Sequence, residues 1–299
     1  MIERLTVIGV GLIGGSLARA LRGAAMVREI TGYGRSLPNL ERALELGVID
    51  RFSLDLGNAV EGADLVFVSV PLGAMRGVFE AIRDRLSPGA ILTDGGSVKG
   101  SVVADAAAAF GRVPSRLVPG HPIAGTERSG VEASFPELFR HRRVILTPLP
   151  ETDPQALEQV EWMWRTCGAE VSRMSVAHHD EVLAATSHLP HMLAFGLVDA
   201  LARMDETDEI FRYAAGGFRD FTRIASSNPV MWRDICMANR EALSAMLARF
   251  GVELADLAEG IRRGDGERLL SIFERAKAAR DRYVEGAATH PNAAAPQHE

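Results

Sequence analysis

Leu5-Thr6-Val7-Ile8-Gly9-Val10-Gly11-Leu12-Ile13-Gly14-Gly15-Ser16-Leu17-Ala18-Arg19-Ala20-Leu21 reads as a short buried strand, a glycine turn and the opening of a helix. That order is what a dinucleotide-binding βαβ unit requires: Gly9 makes the turn, Gly11 lets a pyrophosphate approach the backbone, and Gly14 allows close helix packing. Leu12 and Ile13 lie within that turn and are expected at the cofactor, and the amides of the following helix's amino terminus are donors for phosphate. An acidic residue is expected about 20 positions on, at the tip of the second strand, to hold the ribose hydroxyls. Here the strand Glu29-Ile30-Thr31-Gly32-Tyr33 ends at Gly34-Arg35-Ser36 instead. A guanidinium and a hydroxyl suit a 2′-phosphate, so the cofactor is read as NAD(P), with NADP or dual use favoured.

Outward from this unit, apolar runs closed by Gly or Pro repeat. Leu65–Val70 ends at Pro71, with Val70 and Pro71 expected beside the cofactor; Ala90–Asp94 ends at Gly95-Gly96-Ser97; Arg143–Thr147 ends at Pro148. With a last strand at Glu170–Met174, they predict one doubly wound parallel sheet. A helix is expected between Pro154 and Cys167. Beyond residue 174 the spacing turns helical, as in Leu243, Met246, Leu247, Phe250 and Leu254. The expected plan is therefore an α/β Rossmann-like dinucleotide-binding domain over 1–173, an all-α helical domain over 174–285, and an unstructured tail over 286–299 in which His290 and His298 are bystanders.

Composition narrows the class. The chain has 299 residues, 47% of them hydrophobic, and a formal net charge of -6, which offers no general attraction to nucleic acid or anionic membrane. No signal peptide or membrane-spanning run is apparent, so a cytoplasmic location is expected. Cys167 and Cys236 are read as buried, reduced thiols. Of 33 basic residues only Lys99 and Lys277 are lysines; Lys99 is expected near the cofactor or at a helix cap.

Two constellations carry chemistry. Pro119-Gly120-His121-Pro122-Ile123-Ala124-Gly125-Thr126-Glu127-Arg128 follows the strand-like Arg116-Leu117-Val118, so His121 should stand at the carboxyl edge of the sheet, where open α/β folds bind ligands. In the helical half, His178-His179-Asp180, Ser187-His188-Leu189-Pro190-His191, Gly216–Arg223 and Trp232-Arg233-Asp234 gather imidazole and guanidinium groups. Their spacing does not match a metal motif, and no metal is expected. A pocket for an organic acid is the better reading, with Arg223 as a bidentate carboxylate fork and His191 as a donor. His178 and His188 are read as helix-capping or core histidines.

Taken together, the glycine turn, Asp94–Gly100, Gly120–Glu127, Ser187–His191 and Gly216–Ala225 resemble the prephenate/arogenate (cyclohexadienyl) dehydrogenase family of tyrosine biosynthesis, over Leu5 to about Tyr283. The resemblance implies an oxidoreductase that removes hydride from the hydroxyl-bearing ring carbon of prephenate while its ring carboxylate leaves as CO2, giving 4-hydroxyphenylpyruvate; an arogenate-preferring or dual-specificity enzyme is the alternative. It further implies His121 as general base with Ser97 sharing the hydroxyl. Arg223 would hold the substrate carboxylate, and Thr126, Glu127, His179, Ser187, His191, Arg219 and Trp232 would line the pocket, Trp232 reaching across from a partner subunit in a homodimer. Arg219 stands where some relatives carry lysine. Two other readings stay open. A β-hydroxyacid-type reductase would use a lysine early in the helical half, and none occurs between Ser175 and Arg223; a non-catalytic dinucleotide sensor would be expected to lose His121 or Arg223.

Overall fold

Strand follows helix from the first residues. The computed structural model describes all residues except Glu127, Glu206 and 290–299, with the backbone alone over 286–289. The elements run β1 (Ile2–Ile8), α1 (Leu12–Gly23), β2 (Val27–Tyr33), α2 (Leu37–Glu45), β3 (Arg51–Ser53), α3 (Leu56–Val60), β4 (Leu65–Val68), α4 (Leu72–Ile82), β5 (Ile91–Asp94), α5 (Lys99–Phe110) and β6 (Leu117–Val118). These six strands pair in parallel, in the order β3-β2-β1-β4-β5-β6. The order reverses at β1/β4, the switch point where doubly wound sheets bind dinucleotides.

Alternation along the central strands builds a core on each face. Leu5, Val7, Leu65 and Phe67 point into the layer shared with α1, while Ile8, Val66 and Val68 point into the layer of α4 and α5. Each such fully buried side chain contributes roughly 1.5–3 kcal/mol. Trp164, fully buried, anchors the first layer by edge-to-face contacts with Phe67 and Phe139, at centroid distances of 5.7 and 5.0 Å.

The single sheet expected from the sequence is corrected to two. After β6 the chain enters β7 (Gly120–Pro122), which pairs antiparallel with β8 (Arg143–Leu146); past α6 (Pro154–Thr166), β9 (Glu170–Arg173) lies parallel to β8. The break has a physical cause. Pro119 has no N–H to give a ladder, and the N–H and carbonyl of Gly120 are taken by the side chains of Asp94 and Lys99.

Helices follow: α7 (Val176–Leu183), a π turn (Ala184–His188), α8 (Leu189–Ala202), α9 (Thr207–Arg212), α10 (Gly216–Thr222), α11 (Pro229–Ala238), α12 (Arg240–Arg263) and α13 (Gly266–Thr289). At 173/174, the expected border, strands give way to helices, while the packing divides the chain into Met1–Arg240 and a unit from Glu241 onward. The reason is that α7 through α11 pack within the first unit, with α7 tied to α5 and β7 by side-chain hydrogen bonds. In the second unit α12 ends on Gly264 at φ +67°, with the Asp265 N–H returning to the Gly260 carbonyl at 3.0 Å; Asp265 then caps α13. Helix α13 reaches Thr289, into the stretch expected to be tail, and His290 and His298 lie outside the described residues. No described helix is long and apolar enough to cross a membrane.

Candidate active site

The glycines of the β1–α1 turn divide their work. Gly9 sits at φ +96°, and a Cβ there would come within 2.2 Å of the Ser69 carbonyl; a Cβ on Gly14 would meet the Gly9 carbonyl at 2.3 Å. Both are needed by the chain itself. A Cβ on Gly11 would meet nothing within 4 Å, and Gly11 caps α1 with no side chain over the helix's first amides. That open, donor-rich cradle fits a pyrophosphate. Leu12 and Ile13 form the first helical positions, and Val70 and Pro71 close the neighbouring β4–α4 turn, Pro71 as the helix N-cap. Gly34, Arg35 and Ser36 follow β2; Arg35 is exposed, and the Ser36 hydroxyl accepts the Asn39 N–H as N-cap of α2. Part of the hydrogen-bonding capacity assigned to Ser36 is thus spent on its own helix.

His121, expected just past a strand, is itself the middle residue of β7, opposite Ile145. It is buried, and its Nδ1 lies 2.9 Å from Nε2 of the fully buried His179. His179 Nδ1 lies 2.7 Å from Asp180 Oδ1, which also accepts the Lys99 N–H at 2.8 Å, while Asp180 Oδ2 accepts the Gly100 N–H at 2.8 Å. Asp180 therefore caps α5, whose own N-cap Val98 supplies no side chain, and sits where the helix dipole favours an anion. A Cβ on Gly100 would approach Asp180 Oδ2 to 2.8 Å, so glycine makes room for the carboxylate.

This chain of contacts fixes the protons. Asp180 accepts, so His179 donates from Nδ1; a neutral His179 then accepts at Nε2, and His121 donates from Nδ1. The lone pair of His121 is left at Nε2, where a base needs it. Burial first, then His179, Lys99 and His188, holds His121 well below the ordinary imidazole value. Asp180 is held below the carboxylate range: burial pushes it up, but the hydrogen bonds from His179, Lys99 and Gly100 prevail.

Two site expectations change here. His179, expected to line the pocket, is fully buried with both ring nitrogens engaged by protein, one by His121 and one by Asp180. Asp180, which the sequence reading did not place in the site, ends the chain. The signal was its place in His178-His179-Asp180; its contacts to Gly100 and Lys99 span 80 and 81 residues and leave no local mark.

His191 stacks on Trp232, with ring centroids 3.7 Å apart, and its Nδ1 donates to the Ser187 carbonyl at 2.8 Å. Ser187 thus enters the site through its main chain. Burial lowers the His191 pKa, aided by the Arg223 charge and opposed by the Ser187 bond. With Nδ1 engaged by the Ser187 carbonyl, Nε2 is the nitrogen of His191 left for a further partner. Trp232 is buried in its own chain, with Nε1 lacking a partner among the described residues. Nearby His188 is buried, takes a bond from Asn239 Nδ2 at 3.1 Å, and is pushed by burial down to about 4. Arg223 follows α10 and is exposed, as is Arg219 on α10.

Ser97 lies half-buried in the turn between β5 and α5. Thr126 is exposed and engaged in a local turn with Arg128, and Glu127 lies outside the described residues. His178 is exposed; Cys167 is buried, whereas Cys236 is only half-buried against Met192.

Known proteins share this fold and sequence. Residues 17–173 match the nucleotide-binding domain of prephenate dehydrogenase and residues 175–275 match its dimerization domain, the two meeting ahead of the packing division at Arg240. A cyclohexadienyl dehydrogenase of Zymomonas mobilis is 39% identical over 281 residues, 93% of this chain and 95% of that protein. The prephenate dehydrogenase of Bacillus subtilis is 35% identical over 94% of this chain and 76% of that protein. Among solved structures, prephenate dehydrogenase from Aquifex aeolicus in complex with hydroxyphenyl propionate and NAD+ superposes with a TM-score of 0.88 at 38% identity, covering 95% of this chain and 99% of that one. With matches of this extent across both halves, the chain belongs to the prephenate dehydrogenase family.

Proposed function

We propose that this protein oxidises prephenate to 4-hydroxyphenylpyruvate with NAD(P)+ as hydride acceptor. The observation that carries the reading is the His121–His179–Asp180 chain, which leaves a neutral imidazole with its lone pair at Nε2. The dinucleotide supplies the acceptor for the hydride and nothing else. His121 Nε2 takes the hydroxyl proton as the ring carbon loses hydride, and Ser97 shares that hydroxyl. The electrons of the breaking carbon–carboxylate bond then enter the ring, CO2 leaves, and the ring becomes aromatic. Overall the reaction releases no proton, so His121 returns its proton to the phenolic oxygen. General-base help of this kind is worth about 100- to 10,000-fold.

Arg223 binds the substrate carboxylate in a bidentate pair. Trp232 Nε1, buried without a partner, supplies a further donor, and His191 lies stacked against that ring. Thr126, Glu127, Ser187 and Arg219 complete the pocket rim. Arg35 favours the 2′-phosphate of NADP. The protein works as a homodimer through its helical half, in keeping with the exposed apolar side chains of α12 and α13. A dual-specificity reading, accepting arogenate as well, is favoured by the likeness to a cyclohexadienyl dehydrogenase. The test is reduced-nicotinamide absorbance with prephenate or arogenate, each paired with NAD+ or NADP+. Turnover with prephenate is expected, and silence in all four combinations from folded protein overturns the proposal.

A further inference from the structure

Lys99 is fully buried, as is the Asp94 side chain with which it pairs at 2.5 Å. Burial pulls the Lys99 ammonium below the usual lysine range, against the attraction of Asp94. An ion pair taken out of water is weak as a source of stability, since well-packed apolar residues of similar volume often do as well or better. Its hydrogen bonds show another use. The ammonium also donates to the Gly120 carbonyl at 2.5 Å, while Asp94 Oδ1 accepts the Gly120 N–H at 3.1 Å and Oδ2 accepts the Gly96 N–H at 2.7 Å. Both polar groups of the residue just before His121 are thus held by this pair. The main-chain N–H of the same lysine donates to Asp180 Oδ1. Lys99 therefore grips the strand that carries the base and, through its backbone, the carboxylate at the far end of the imidazole chain. With no exposed surface, it cannot touch a substrate.

We propose that the buried Lys99–Asp94 pair is a positioning device for His121, fixing Gly120 against the tip of β5 so that His121 Nδ1 meets His179 and Nε2 is held for the substrate hydroxyl. A misplacement of about 1 Å in such geometry costs on the order of 100-fold in rate. The inference rests on the reading of His121 as the base.

The experiment compares wild type with Asp94→Asn/Lys99→Met, which removes both charges together, and with Lys99→Gln. Three quantities are read: NAD+ affinity by fluorescence, the pH profile of kcat/KM, and the downfield imidazole N–H resonances shared by His121, His179 and Asp180. The titratable and charged groups facing His121 are His179 and Asp180 on α7, His188 in the π turn, and Lys99 and Asp94 at the β5–α5 end. In Lys99→Gln, loss of the ammonium, one of the groups holding His121 down, moves the acid limb to higher pH. Expected in the folded double variant are NAD+ affinity within about threefold of wild type, kcat lowered about 10- to 100-fold with KM changed less, and weakened relay resonances. Wild-type turnover, acid limb and resonances overturn the proposal. So does failure of both variants to fold, which assigns the pair to folding alone. If wild type oxidises neither acid, or His121→Asn turns over as fast as wild type, the base reading fails instead, and the resonances still report whether the pair orders His121.

Discussion

The two units of this chain invert each other's burial. In Met1–Arg240, groups that water solvates best lie inside: Asp94, Lys99, His121, His179 and His188 are all buried. From Glu241 onward, groups that water solvates worst lie outside, with Val252 69%, Ile261 67% and Phe273 56% exposed alongside Leu254, Leu270 and Tyr283. Buried polar groups and large exposed apolar patches are the departures from ordinary burial that carry information. The first unit keeps these polar groups inside because each has a partner there, and together they make the reactive centre we propose. The second unit keeps apolar groups outside because two helices cannot cover their own faces, and a second copy of the chain is the cover we propose.

The contrast can be broken first at the reactive centre. His121→Asn should lower kcat at least about 100-fold while dinucleotide affinity stays near wild type; retained turnover would move the base elsewhere. The pH profile follows from the direction of the His121 shift. A base held well below the ordinary imidazole value is unprotonated throughout the neutral range, so kcat/KM should stay level down to about pH 6.5 and fall only below it. An acid limb above neutrality contradicts the buried relay. Stability should follow the same sign: as pH drops below about 6.5, the unfolded histidines take up protons that buried His121 and His188 refuse, so the melting temperature falls steadily until about 4, where His188 itself titrates.

Next come the glycines. Gly14→Ala drives a methyl into the Gly9 carbonyl and should destabilise the fold by about 1–3 kcal/mol, read by thermal melting. Gly11→Ala has room, so melting should hardly change while NAD+ affinity drops; the reverse pattern would mean that the open cradle is not the phosphate site. The second unit is probed by Phe273→Glu, which should shift size-exclusion elution from dimer to monomer. An unchanged dimer would show that the exposed face of α13 is not the covered one. The smallest effect is expected at the exposed rim of the first unit, where Arg35→Asp should weaken NADP+ several-fold more than NAD+ in parallel KM measurements. Equal losses would remove Arg35 from cofactor choice.

The main sheet was legible because strands buried on both faces read as continuous apolar runs such as Leu65–Val68, and because Gly9, Gly11 and Gly14 have geometric duties that other residues cannot perform. His121 stood out because Gly and Pro around it forbid a helix. The second sheet was not legible: β7 leaves the main ladder because side chains 21 and 26 residues away take both polar groups of Gly120. Nor was the role of His179, since lining a pocket and supporting a base call for the same residue type and differ only in what the ring nitrogens meet. Helical spacing likewise shows that a face is buried without showing against which element, so the packing border near Arg240 has no counterpart in the sequence.

One feature of the helical half sets a rule of phase. In an uninterrupted α-helix each residue turns the chain by about 100°, so His179 and His191, twelve positions apart, would stand about 120° out of alignment. The π turn at Ala184–His188 absorbs roughly one residue of that rotation and leaves them about 20° apart. What joins the base's support in α7 to the Trp232-stacked imidazole in α8 is therefore a count of residues. Wound as an unbroken α-helix, the same residues would leave every side chain of the site in the sequence and swing half of them away.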